Sequence, residues 1–176
     1  MGILDWLNDL TTNAARDEHG DTDTVVRIVR ELDKLEPDRA RFLAAFAYVL
    51  GRVAGADLHF SDAETAHMVS TLQRIGHLPE AQATLVVEIA KSQHRLFGGT
   101  ENFLVTREFR DIATDEQRRE LLDCLFAVSA ADDAISGEEE AQIWQIASEL
   151  GFAHPEYVKA RLRYSDKRTV LRDKDR

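Results

Sequence analysis

The chain carries one cysteine, Cys124, among 176 residues. No intrachain disulfide can form, which excludes a disulfide-stapled secreted scaffold. No Cys/His cluster has the spacing of a zinc site. There are three prolines, and Pro37, Pro79 and Pro155 all stand where a helix begins, a position proline tolerates. Long apolar runs are missing as well. The longest, Phe42 to Val53, is broken by Arg52 and is too short to span a bilayer. The N-terminus lacks the basic flank and apolar run of a signal peptide, so a cytoplasmic protein is expected. Positive charge is in deficit: 22 Lys and Arg stand against 32 Asp and Glu, a net charge of -10. Affinity for nucleic acid comes from neutralising phosphates, so that class of partner is not expected. Cations, or a protein partner with a basic surface, are. No β-rich alternating segment occurs.

What is present is enough for a core. With 44% hydrophobic and 31% charged residues, a chain of this length can fold as one domain, or two small ones, without staples. Its organising feature is a stretch that occurs twice, 75 residues apart. Ala56, Asp57, Phe60, Ser61 and Glu64 align with Ala131, Asp132, Ile135, Ser136 and Glu139. The register extends outward through Leu50 with Leu125, Met68 with Ile143, Ile75 with Leu150, and Gly76 with Gly151. Each copy reads as an apolar helix ending at an Asp, a short corner, then Ser-x-x-Glu opening a second helix.

Taken in order, residues 2–12 form an amphipathic segment, with Ile3, Leu7 and Leu10 on one face. It can pack on the body, remain a free or partner-binding end, or give a weak or indirect membrane association. Asp5 and Asp9 argue against anionic lipid. Residues 13–20 read as a flexible link, so 1–20 stands apart from a helical domain over 21–165. Val25, Ile28, Val29, Leu32 and Leu35 stripe the first helix of that domain, which Glu36-Pro37 ends. The next helix, from Pro37 to about Asp57, carries Phe42, Ala45, Phe46, Val49, Leu50 and Val53 among many small residues and is expected to be central. Gly76 is expected to adopt the left-handed stop position after the following helix, and Gly151 its counterpart. Gly98-Gly99-Thr100 marks a turn. Thr114-x-x-Gln117 is a further capping signature. Tyr157, Val158 and Leu162 stripe the last helix. Residues 166–176 form a basic polar tail. From Lys159 onward, eight basic residues face three acidic ones. Such an arm can fray, fold back on the acidic body, or meet an acidic partner. The expected fold is all-α, a compact bundle of about seven to nine helices with an internal pseudo-two-fold repeat.

The corners hold the candidate chemistry. Serine at Ser61 and Ser136 caps the free N–H groups of a helix start, and the glutamate three residues on returns a hydrogen bond. Capping accounts for these four residues. It leaves Asp57 and Asp132 unexplained, since each sits at the C-terminal end of a helix, where the dipole disfavours a negative charge. If the corners converge, Asp57, Glu64, Asp132, Asp133, Glu138 and Glu139 form one acidic region. Hard cations such as Ca²⁺ and Mg²⁺ take six or more oxygen ligands, which such a region can supply. His59 and His67 flank the first corner and would admit Mn²⁺ or Zn²⁺, or each is a structural or exposed histidine. Counted from Asp132, Gly137 falls at the EF-hand glycine position, but Ile143 stands where the final glutamate belongs, so the loop is not an EF-hand. Catalytic motifs are lacking. Cys124 sits in register with the core position Val49, as a buried thiol. Gly98-Gly99-Thr100 lacks the lysine of a phosphate loop.

These corners resemble those of the tellurite-resistance TerB family, whose related domain also occurs in DjlA-type membrane co-chaperones. The family phrase Ala-Asp-Gly-x-(apolar)-Ser-x-x-Glu falls on Ala56, Asp57, Leu58, His59, Phe60, Ser61 and Glu64. It falls again on Ala131, Asp132, Asp133, Ala134, Ile135, Ser136 and Glu139. The resemblance covers roughly residues 25–165 and departs at the glycine, which is Leu58 in one copy and Asp133 in the other. It implies an all-helical domain with an acidic surface for divalent metal, serving stress-response or membrane-associated complexes. The functional expectation is therefore a non-enzymatic interaction module with a divalent-cation-binding surface. The alternatives are a structural scaffold whose corners are only caps, and a metal-dependent hydrolase, which needs an open coordination position beside a pocket. Of the two corners, the second, with Asp133 and Glu138, is the better candidate for a cation.

Overall fold

Of the seventeen residues from Pro37 to Val53, eleven are buried, among them Phe42, Phe46, Tyr48 and Leu50. A helix buried on nearly every side belongs at the centre of a fold. The structure, a computed structural model, describes residues 21–54, 61–97, 102–132 and 134–172. These contain nine α-helices: α1 (Asp21–Asp33), α2 (Pro37–Val53), α3 (Asp62–Arg74), α4 (Glu80–Phe97), α5 (Asn102–Ile112), α6 (Asp115–Ser129), α7 (Gly137–Glu149), α8 (His154–Leu162) and α9 (Thr169–Arg172). Short 3-10 turns follow α6 at Ala130–Asp132 and α8 at Ser165–Lys167. The fold is an all-α bundle. Among the described residues, no helix is long and apolar enough to cross a membrane. The segment at 2–12, the corner residues 55–60 with Asp57 and His59, the Gly98-Gly99-Thr100 turn and Asp133 lie outside the described residues.

Central α2 packs on α4, α5, α6 and α7. Phe42 and Phe46 meet Phe109 of α5 at ring-centroid distances of 5.3 and 5.9 Å. Helices α3 and α7 begin and end 75 residues apart, at 62 and 137 and at 74 and 149. Helix α2 stops at Val53, where the amide of Ala54 returns to Leu50 O. That is four residues short of the expected end at Asp57.

Two other expectations change. Gly76 is not left-handed. His77 is, with φ 51°, and the amide of Leu78 closes the turn on Leu72 O at 3.2 Å. Gly76 answers a different constraint, because a Cβ there would lie 2.8 Å from Leu72 O and 3.4 Å from Cys124 Sγ. Gly151 does adopt the left-handed stop, at φ 86°. Leu162, expected on the inner stripe of α8, is 61% exposed. The basic arm does not fray over Ser165–Arg172, but returns to the body as described below.

The charge that breaks the apolar run of α2 is itself internal. Arg52 and Glu149 have side chains 4% and 8% exposed, with Nη1 donating to Oε2 at 2.5 Å. Arg52 Nη1 also donates to Thr106 Oγ1 of α5 at 2.6 Å, and Gln142 of α7 donates to Arg52 O. Burial by itself would raise the Glu149 carboxyl. The hydrogen bond and charge of Arg52, helped by Gln145 and Thr106, win and hold it below the usual carboxylate range. Removing one member of a buried pair strands the other charge. Arg52→Met should therefore cost about 3–5 kcal/mol in urea denaturation, and Arg52→Met with Glu149→Met should recover most of that loss. Because the folded-state pKa of Glu149 is depressed, the pair stabilises above the ordinary carboxyl range, and its contribution is lost as pH falls through the folded value. The glycines separate in the same assay. Gly151→Ala should cost about 1 kcal/mol for left-handed backbone, and Gly76→Ala about 1–3 kcal/mol, since a backbone carbonyl must move. A larger loss at Gly151 would contradict this assignment.

A cavity shared by the two corners

Each Ser-x-x-Glu forms a complete reciprocal cap. Ser61 Oγ accepts the Glu64 N–H at 3.2 Å, while Glu64 Oε2 accepts the Ser61 N–H at 2.6 Å. At α7, Ser136 Oγ accepts the Glu139 N–H at 3.1 Å and Glu139 Oε2 accepts the Ser136 N–H at 2.8 Å. The backbone N–H of Ser61, then its hydroxyl, hold the exposed Glu64 carboxyl below its usual range. Ile135, just before the second cap, is fully buried.

The two caps open onto one space. A cavity of about 260 Å³ is walled by Val53 and Ala54 at the end of α2, and by Ala63, Glu64, His67 and Met68 of α3. Val128 and Ser129 at the end of α6, Ala131 of the 3-10 turn, and Glu139 of α7 complete it. Three pairs on this wall are 75 residues apart: Val53 with Val128, Ala54 with Ser129, and Glu64 with Glu139. Of the six carboxylates predicted to gather, the structure brings Glu64 and Glu139 to this wall. Glu138 is exposed in the first turn of α7 and is not part of the wall. Asp132 ends the 3-10 turn, and its side chain lies outside the described residues, as do Asp57 and Asp133. His67 joins the wall. Among the described residues, no group of three or more His, Cys, Asp and Glu side chains is arranged to hold a metal ion. Cys124 is buried beside Gly76, and burial raises its thiol pKa.

The wall also holds a group that sequence did not single out. Ser129 is 4% exposed, and its buried hydroxyl has no hydrogen-bond partner among the described residues. Alignment with Ala54 gave it no distinction.

A model of the family described as tellurite resistance protein TerB matches residues 42–162. The chain belongs to the TerB family. The matched span runs from within α2 to the end of α8, so it contains both caps and the whole cavity wall. Comparison with curated proteins and with solved structures gives no match.

Outside the TerB match, residues 165–172 strap the second corner. The amide of Ile135 donates to Lys167 O at 2.7 Å, and the amide of Thr169 donates to Ile135 O at 3.1 Å. Arg168, 8% exposed, forks onto Glu140, with Nε to Oε2 at 2.8 Å and Nη2 to Oε1 at 2.6 Å. Arg161 adds a third bond to Glu140 at 3.1 Å. Burial would raise the Glu140 carboxyl, but Arg168 and Arg161 outweigh it and lower its pKa. The surplus of positive charge in the tail was the signal for this contact. Its partner could not be read from spacing.

The caps can be tested one by one. Ser61→Ala and Ser136→Ala should each lower stability by about 1 kcal/mol in thermal or urea unfolding. A loss below a few tenths at either site would show that its cap bonds do not support the fold.

Proposed function

We propose that the chain is a non-enzymatic interaction module of a stress-response system, whose paired corners form an acidic, divalent-cation-binding surface for a partner with a basic face. The observation that carries this reading is the shared cavity, on whose wall Glu64 and Glu139 stand at equivalent positions of the repeat. The equal bounds of α3 and α7 support relating the two helix–corner–helix units by an approximate two-fold. Asp57, Asp132, Asp133 and Glu138 are the remaining candidate ligands, and Ca²⁺, Mg²⁺, Mn²⁺ and Zn²⁺ the candidate ions. Carboxylates from both corners, with carbonyls and water, would complete a shell of six or more oxygens for Ca²⁺ or Mg²⁺. Membership of the TerB family supports the stress-response setting. A second reading, a scaffold in which the corners only cap helices, is favoured by the completeness of both caps, which already employ one oxygen of each glutamate.

Calorimetric titration of the tag-free protein with each ion separates the two. The expected result is binding tighter than millimolar for at least one ion, abolished by Asp57→Asn with Asp132→Asn at unchanged fold. No heat below millimolar, or no effect of the double substitution, would leave the scaffold reading.

A further inference from the structure

We propose that the corner cavity is a receptor for a primary alkylammonium group, presented by a lysine side chain of a protein partner or by a free diamine. This inference rests on reading the corner cavity as the binding site, and it specifies what enters it. Most of the wall is apolar: Val53, Val128, Met68 and their alanine neighbours. Such a surface suits a methylene stem, which lysine carries behind its charge. Four polar side chains share the wall: Glu64, Glu139 and Ser129 can accept a hydrogen bond from an ammonium, and His67 stands beside them. Glu64 and Glu139 each commit Oε2 to a cap N–H, and among the described residues Oε1 of each has no hydrogen bond. Ser129 adds a buried hydroxyl without a partner among the described residues. An unpartnered buried polar atom costs free energy until something fills its bonding capacity.

Three acceptors match the three N–H donors of an ammonium. They do not match a guanidinium, whose planar fork prefers both oxygens of one carboxylate. The volume agrees. At about 260 Å³ the cavity falls just below the roughly 300–1,000 Å³ usual for small-molecule sites. One side chain or a short diamine fits that space.

The test uses methyl and amide NMR on the full chain. The probes are Nα-acetyl-lysine amide, its neutral Nε-acetyl counterpart, Nα-acetyl-arginine amide and putrescine. The Met68, Val53 and Val128 methyl resonances are expected to shift saturably with the lysine probe and not with the Nε-acetyl probe. Glu64→Gln with Glu139→Gln keeps both caps, since glutamine serves in a capping box. It should weaken the response roughly tenfold or more, as expected for losing hydrogen bonds to charged groups. Saturation by putrescine at lower concentration than by the lysine probe would identify a free diamine as the source, and the reverse order a lysine side chain. Equal shifts from the neutral probe, a stronger response to the arginine probe, or no methyl shift at all would overturn the proposal. A parallel calcium titration keeps the two ideas apart. A calcium response with silent methyls under the lysine probe sinks the ammonium receptor alone, and a lysine response without calcium binding supports it while removing the divalent-ion reading.

Discussion

The guanidinium of Arg52 meets the Glu149 carboxylate where water scarcely reaches, and the rest of the architecture is arranged around that contact. Arg52 is one residue before the cavity wall begins at Val53. Its partner closes α7, whose first turn carries the Glu139 cap. Thr106 brings in α5, and Gln142 ties the backbone of α2 to α7. A buried ion pair contributes little net stability against a hydrophobic substitute, but it tolerates very few arrangements. The pair thus fixes α2 against α7, and the cavity is the space left between the helix ends so fixed.

The corners join two demands on the same residues. A helix start needs its free N–H groups satisfied, and Ser-x-x-Glu does this in both copies. Each glutamate completes its cap with Oε2 and also lines the shared cavity. Structural and functional readings of Glu64 and Glu139 use different atoms of one side chain. The copies differ in their surroundings. The second corner is strapped by residues 165–172 through Ile135 and by Arg168 on Glu140, while Ala54 in the first stands where Ser129 stands in the second.

The helices were legible because their signals are local. Stripes at spacings of three and four, the prolines at helix starts and the Ser-x-x-Glu caps placed most elements. The family was legible because its phrase occurs twice. The misread features depend on which groups meet in space. Whether a glycine serves a left-handed turn or a close approach is decided at Gly76 by Leu72 O and Cys124 Sγ, which no local pattern reveals. Arg52 read as a break in an apolar run because its partner lies 97 residues away. Ser129 read as ordinary because an unsatisfied hydroxyl is a property of packing. The fold-back of the tail was one of three readings, and only the position of Glu140 distinguishes it from the others.

The two corners are proposed to act as one site. Paramagnetic relaxation by Mn²⁺ measures this directly, because broadening falls steeply with distance from the ion. With substoichiometric Mn²⁺, the amides of Glu64 and Glu139 are expected to broaden together, along with the methyls of Val53 and Val128, while residues of α1 stay sharp. Broadening at only one of the two caps, or none beyond what exposed carboxylates elsewhere show, would contradict a shared site.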